Sequence, residues 1–184
     1  MAGSTEWLDE GMRVLAEYGS TGLRIERLAT RLGVTKGSFY HHFAGMPQYR
    51  SDLLAHIERQ LTTRYIDSVE QAGATDPHRR LAHLMDLVLA HDETAVEVAV
   101  RAWASQDRRA ADTQRRTDAI RVDYLRRTLA ELGHDGARAL EIARTLYLIL
   151  IGAEHIVPPL SAPEIRRLWE RTLEAAEQQA QRPN

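Results

Sequence analysis

Thr35, Lys36, Gly37 and Ser38 stand in a row, with Tyr40 and His41 just beyond them. Two short hydroxyls, one ammonium, a residue with no side chain, a phenol and an imidazole make no recognisable catalytic set. They suit a different chemistry, that of donating to phosphate oxygens and to the edges of bases. Lys36 is the single lysine of a 184-residue chain whose other basic side chains are arginines. Gly37 would let a backbone approach another surface closely, and inside a helix it costs about 1 kcal/mol relative to alanine.

Side chains of this kind read a duplex only when a helix carries them into the major groove. The sequence around them provides such a helix. Ile25, Leu28, Ala29 and Leu32 fall at i, i+3, i+4 and i+7, the apolar face of one helix. Gly33 is suited to stop it, and Thr35 to cap the next. Phe39 and Phe43 then anchor that second short helix to a core. Leu23 to Phe43 thus reads as a helix-turn-helix whose second helix opens on Lys36.

Charge is distributed to match. The net formal charge is −2, yet Ser20 to Arg50 holds Arg24, Arg27, Arg31, Lys36 and Arg50 against the single acid Glu26, a local balance of +4. A near-neutral chain with one basic segment fits selective binding to double-stranded DNA better than indiscriminate attachment.

The rest of the chain reads as helix throughout, an all-α fold of about nine helices. The first runs from about Thr5 to Tyr18. A long fourth helix follows Gly45 and Pro47 and continues to about Ala72. Asp76-Pro77 opens another, and helices follow through Trp103, from Arg109 to Leu132, and from Asp135 to Ile156. Ser161 to Glu164 forms a capping box for the last. Expected domains are a DNA-binding head over residues 1–46 and a helical body over 47–184, with the helix of 47–72 linking the two.

Other classes find little support. With no cysteine, disulfides, thiolate metal sites and cysteine nucleophiles are excluded. The histidines lack metal-ligand spacing, and nucleophile elbows and phosphate-binding glycine loops are missing. We therefore expect no enzyme, no metal and no cofactor. The start of the chain has no apolar signal core, and Leu146 to Ala153 is too short to span a membrane, so a cytoplasmic location is expected.

The segment IERLATRLGVTKGSFYHHF resembles the helix-turn-helix of TetR-family transcriptional regulators. The resemblance implies DNA contacts from Thr35, Lys36, Gly37, Ser38, Tyr40 and His41. Arg24 stands where the family often has a serine or threonine, and could replace a hydroxyl–phosphate contact with a charged one. The lysine usual at the start of the fourth helix is absent, leaving Gln48, Tyr49 or Arg50 as substitutes. A homodimer is also implied, built on the last two helices. The apolar residues Leu146, Ile149, Leu150, Leu168, Trp169 and Leu173 would form its interface or fill an internal core. A small-molecule effector would bind in the body, with Leu84, Met85, Val88, Trp103, Tyr124 and Tyr147 as candidate lining. His83, Asp123 or Glu154 would be its polar selectors. The expected activity is that of a repressor released by this effector. The alternative is a ligand-independent DNA-binding dimer whose body serves only dimerisation or a protein partner.

Overall fold

The computed structural model describes residues 2–90 and 93–180. Within them the chain is all-helical, with no strand. The head comprises α1 (Ser4–Tyr18), a 3-10 turn (Ser20–Gly22), α2 (Ile25–Leu32) and α3 (Lys36–Tyr40). Next come α4 (Met46–Glu58), a π turn (Arg59–Thr63) and α5 (Arg64–Gln71), which together make the one long helix expected after Pro47. The remaining elements are α6 (Pro77–Ala90), α7 (Thr94–Ala104), α8 (Arg108–Glu131), α9 (Gly136–His155) and α10 (Ala162–Ala180).

Capping chemistry sets several of these boundaries. The Asp135 carboxylate accepts from the backbone N–H groups of Ala137 and Arg138 at the start of α9. Ser161 and Glu164 make half of the expected box before α10: the Ser161 N–H donates to Glu164 Oε2 at 2.9 Å, but the Ser161 hydroxyl donates to the same carboxylate and accepts nothing from the Glu164 N–H. The Asp76 carboxylate accepts from the N–H of His78 as α6 begins.

The chain divides into two compact units. One takes residues 1–63 and 93–117, the other 64–92 and 118–184. The first unit therefore includes α7 and the beginning of α8, which a cut at residue 46 assigns to the body. Val96, Val100, Trp103 and Ala110 belong to the same apolar core as Trp7, Leu15, Leu28, Phe39 and Leu53. Sequence distance hid this partnership, because α7 returns to pack on α1 only after the chain has left the head. The second unit has its own core, with Leu81, Met85, Leu129, Leu146 and Trp169 at its centre.

Two positions require glycine. Gly33 sits at φ +65° and ends α2, and the N–H groups of Gly33 and Val34 donate to the carbonyls of Thr30 and Ala29. That pairing satisfies the last turn and reverses the chain within a few residues. At Gly11, a Cβ would overlap the Tyr49 hydroxyl and press on Leu53 at 3.0 Å, so α1 and α4 approach this closely only with glycine there.

Candidate nucleic-acid interface

Phe39 holds the recognition helix in place. It is fully buried and meets Trp7, Phe43 and Tyr49 with ring centroids 5.1–5.4 Å apart. Burial of an aromatic ring is worth several kcal/mol of transfer free energy at about 25 cal/mol per Å². This anchor fixes which face of so short a helix turns outward.

The outward face carries the expected residues. Thr35, Lys36, Gly37, Tyr40 and His41 are exposed, and Ser38 is half-buried. Thr35 occupies the N-cap of α3, yet its hydroxyl makes no capping hydrogen bond and stays available. Among the described residues no close neighbour requires Gly37, since a Cβ there would meet only Thr35 Oγ1, at an ordinary 3.6 Å. His41 closes α3, and the His42 ring N–H donates to the Ala2 carbonyl at 2.9 Å, tying the chain start to the end of the recognition helix.

The basic residues divide in a way their sequence spacing does not reveal. Arg31 pairs with Glu10 and makes a two-pronged bond to Glu17, at 2.6 and 2.7 Å, both acids lying on α1. Arg27 stacks its guanidinium over the Tyr18 ring, 4.2 Å from the centroid, and donates to the Gly22 carbonyl. These two arginines staple α2 to α1. The positive balance of the segment is accordingly smaller at the surface than its residue count suggests. Glu10 and Glu17 lie outside the counted window and neutralise it from an adjacent helix. Arg24 is exposed, with Nε on the Thr21 carbonyl at 3.3 Å. Lys36 donates to Glu26 Oε1 at 2.6 Å, in a pair whose side chains are 59% and 64% exposed.

The substitutes for a basic residue on α4 resolve differently. Tyr49 is fully buried and donates its hydroxyl to the Trp7 carbonyl at 2.8 Å, which removes it from any surface role. Burial also raises its phenol pKa well above the ordinary value. Gln48 uses Oε1 to accept from the Ala44 N–H at 2.7 Å, just before α4 begins. Arg50 is half-buried, with no hydrogen-bond partner for its Nε.

The candidate effector residues are divided between the cores of the two units. Trp103 lies in the core of the first unit, while Leu84, Met85 and Tyr147 pack in that of the second. Tyr124 donates to Glu70 at 2.8 Å and Tyr147 to Asp118 at 2.6 Å, both within the second unit. Val88, His83 and Glu154 are half-buried. Asp123 pairs with Arg126 and Arg127 along its own helix, and the Arg126 bond holds its carboxyl below the usual range. A side chain so paired suits a helix surface better than a selector. Of the expected interface residues, Leu146 and Trp169 are already spent inside the second unit's core. Ile149, Leu150 and Leu173 are half-buried and Leu168 is exposed. The sequence reading passed over Leu148, which is 67% exposed.

A helix-turn-helix with an exposed, donor-rich second helix, followed by further helices, defines the class of fold: an all-helical chain with a helix-turn-helix head. Residues 8–48 match the family model of bacterial regulatory proteins, tetR family, so this segment is similar to the helix-turn-helix of that family. The chain beyond the matched segment is like solved structures in fold. A transcriptional regulator from Rhodococcus sp. Rha1 superposes with a TM-score of 0.77 at 22% identity, covering 96% of this chain and 97% of that one. A protein from Saccharomonospora viridis solved in complex with choline gives 0.76 at 18% identity, over 93% and 95% of the two chains. A TetR transcription regulator from Haloarcula marismortui gives 0.70 at 22% identity, over 95% and 96%. No curated protein matches the chain in sequence. No helix among the described residues is long and apolar enough to cross a membrane.

Proposed function

We propose that the chain is a cytoplasmic, homodimeric repressor that reads a pseudo-palindromic operator through α3 and releases it when a small molecule binds the body. The observation that carries the DNA-reading part is Gly37: the chain itself leaves room for a side chain there, so its absence serves a surface that approaches from outside. In this reading Lys36 donates to guanine or phosphate. Thr35, Ser38, Tyr40 and His41 contact phosphate or base edges, and Arg24 adds a charged phosphate contact from α2. Arg50 is the favoured substitute for the missing basic residue of the fourth helix, because Tyr49 is buried and Gln48 is bonded to Ala44. Residues 1–46 act as the DNA-binding head, and the helix beginning at Met46 joins it to the body.

The dimer is proposed to form through α9 and α10. On α9, Ala139, Ile142, Ala143 and Leu146 face the core of their own unit, while Glu141, Thr145 and Leu148 face out. An open groove lined by Arg138, Thr145, Leu168, Arg171 and Ala175 runs beside that outward stripe. Exposed leucines on adjacent helices favour a second apolar contact. Two heads on one dimer would then meet successive major grooves about 34 Å apart.

Effector control would act by population shift, which requires that the ligand bind the two states differently. The choline complex of the Saccharomonospora viridis protein supports ligand binding by this fold. The ligand-independent alternative draws support from Trp103, which fills a core rather than standing free.

Selection of bound fragments from genomic DNA tests the central claim. Enrichment of a palindromic site is expected, and no enrichment over random sequence overturns the reading. Candidate effectors suggested by neighbouring genes are then tested for displacement of that site. Displacement by none of them favours the ligand-independent alternative.

A further inference from the structure

The structure places an acid where a DNA-binding surface has least use for one. Glu26, on α2, accepts from Lys36 at 2.6 Å across the turn of the motif, and both side chains are well exposed. Arg24 lies near enough to act on the same carboxylate, whose pKa is lowered first by the Lys36 bond. Glu26 thus stands between two of the cations the proposed interface relies on. An exposed pair of this kind is weak, and structural stability gives little reason to keep it. Its tight-packing neighbours Arg27 and Arg31 already join α2 to α1.

We propose that Glu26 tunes the affinity of this surface, acting as an internal competitor that withholds the Lys36 ammonium from DNA phosphates. Phosphate attraction supplies most non-specific binding, and it does so regardless of sequence. A carboxylate already holding Lys36 offsets that gain at every site. At the operator, base-edge contacts add to the phosphate term and the ammonium exchanges from Glu26 to the groove. Affinity is therefore reduced at random sequence and operator alike, by no more than the strength of the pair. This inference rests on the DNA-reading function proposed above.

The test compares the full-length protein with Glu26→Gln, in wild-type and Lys36→Ala backgrounds, on the selected operator and on a random duplex of equal length. Binding is followed by fluorescence anisotropy across a salt series. Glu26→Gln is expected to tighten random-duplex binding about two- to fivefold, the range an exposed pair can supply. The slope of log affinity against log salt should steepen by about 0.9, one further phosphate contact. Operator affinity should rise by a similar factor, and in the Lys36→Ala background the substitution should tighten both much less. An unchanged random-duplex affinity overturns the proposal. So does equal tightening with and without Lys36, which would make Glu26 a source of general repulsion only. If the unmodified protein selects no DNA at all, the DNA-reading function itself fails, a result distinct from both.

Discussion

Lys36 and Arg31 are both basic residues of the same motif, and the structure gives them opposite work. Lys36 is exposed with one weak partner, while Arg31 is committed to two acids on α1. Lys36→Ala should weaken operator binding on the order of tenfold and lower the salt slope by about 1, leaving thermal stability unchanged. Arg31→Ala should do the reverse, lowering the urea midpoint while the salt slope stays as it was. Paired anisotropy titrations and denaturation curves read both outcomes, and a salt slope that falls with Arg31→Ala would return that arginine to the interface. The exposure of Thr35, Lys36, Gly37, Tyr40 and His41 was legible in the sequence because a short motif fixes their spacing. The loss of Arg27, Arg31 and Tyr49 to internal structure was not, since Glu10, Tyr18 and Trp7, which engage them, belong to another helix.

Helices declare themselves locally, and their caps and periodicities were readable at almost every boundary. Gly33 and Asp135 do in the structure what their types suggest. The packing of α7 on α1 was illegible, because no local pattern says which distant face an apolar stripe will cover. Gly11 shows the same limit: it reads as an unremarkable member of the first helix, yet it sets how closely α1 meets α4. Gly11→Ala should cost about 1–3 kcal/mol through overpacking against Tyr49 and Leu53. Thermal unfolding measures it, and an unchanged midpoint would mean that the Tyr49 hydroxyl moves aside freely. The α10 cap provides a pH test. Hydrogen bonds from Ser161 lower the pKa of Glu164 in the folded state, so its contribution is present above the ordinary carboxylate range. The contribution is lost as pH falls through the depressed folded value, where the carboxylate is protonated. Wild type should therefore resist urea better than Glu164→Gln at pH 7, and the two should converge in acid. A gap that persists at pH 2 would assign the effect to something other than the ionised cap.

For the whole molecule, the proposed function requires one chain to become half of a two-headed reader. An apolar helix suggested a dimer, but its residues face two ways, which apolar runs in the sequence do not separate. Leu146 and Trp169 face inward and fill the second unit, whereas Leu148 and Leu168 face solvent. Substitution separates these roles. Trp169→Arg should cost about 3–5 kcal/mol as a core loss and unfold the unit, so a missing dimer in that variant says nothing about an interface. Leu148→Arg removes no internal packing and should leave helicity and the unfolding midpoint nearly unchanged. It should instead shift sedimentation toward the monomer by placing a charge in an apolar contact. Operator affinity must then fall with it, because a single head retains only half of the phosphate and base contacts and the salt slope should drop by about half. A folded Leu148→Arg protein that still sediments as a dimer would move the interface off this stripe of α9. One that is monomeric yet binds the full operator with an undiminished slope would show that each head works alone.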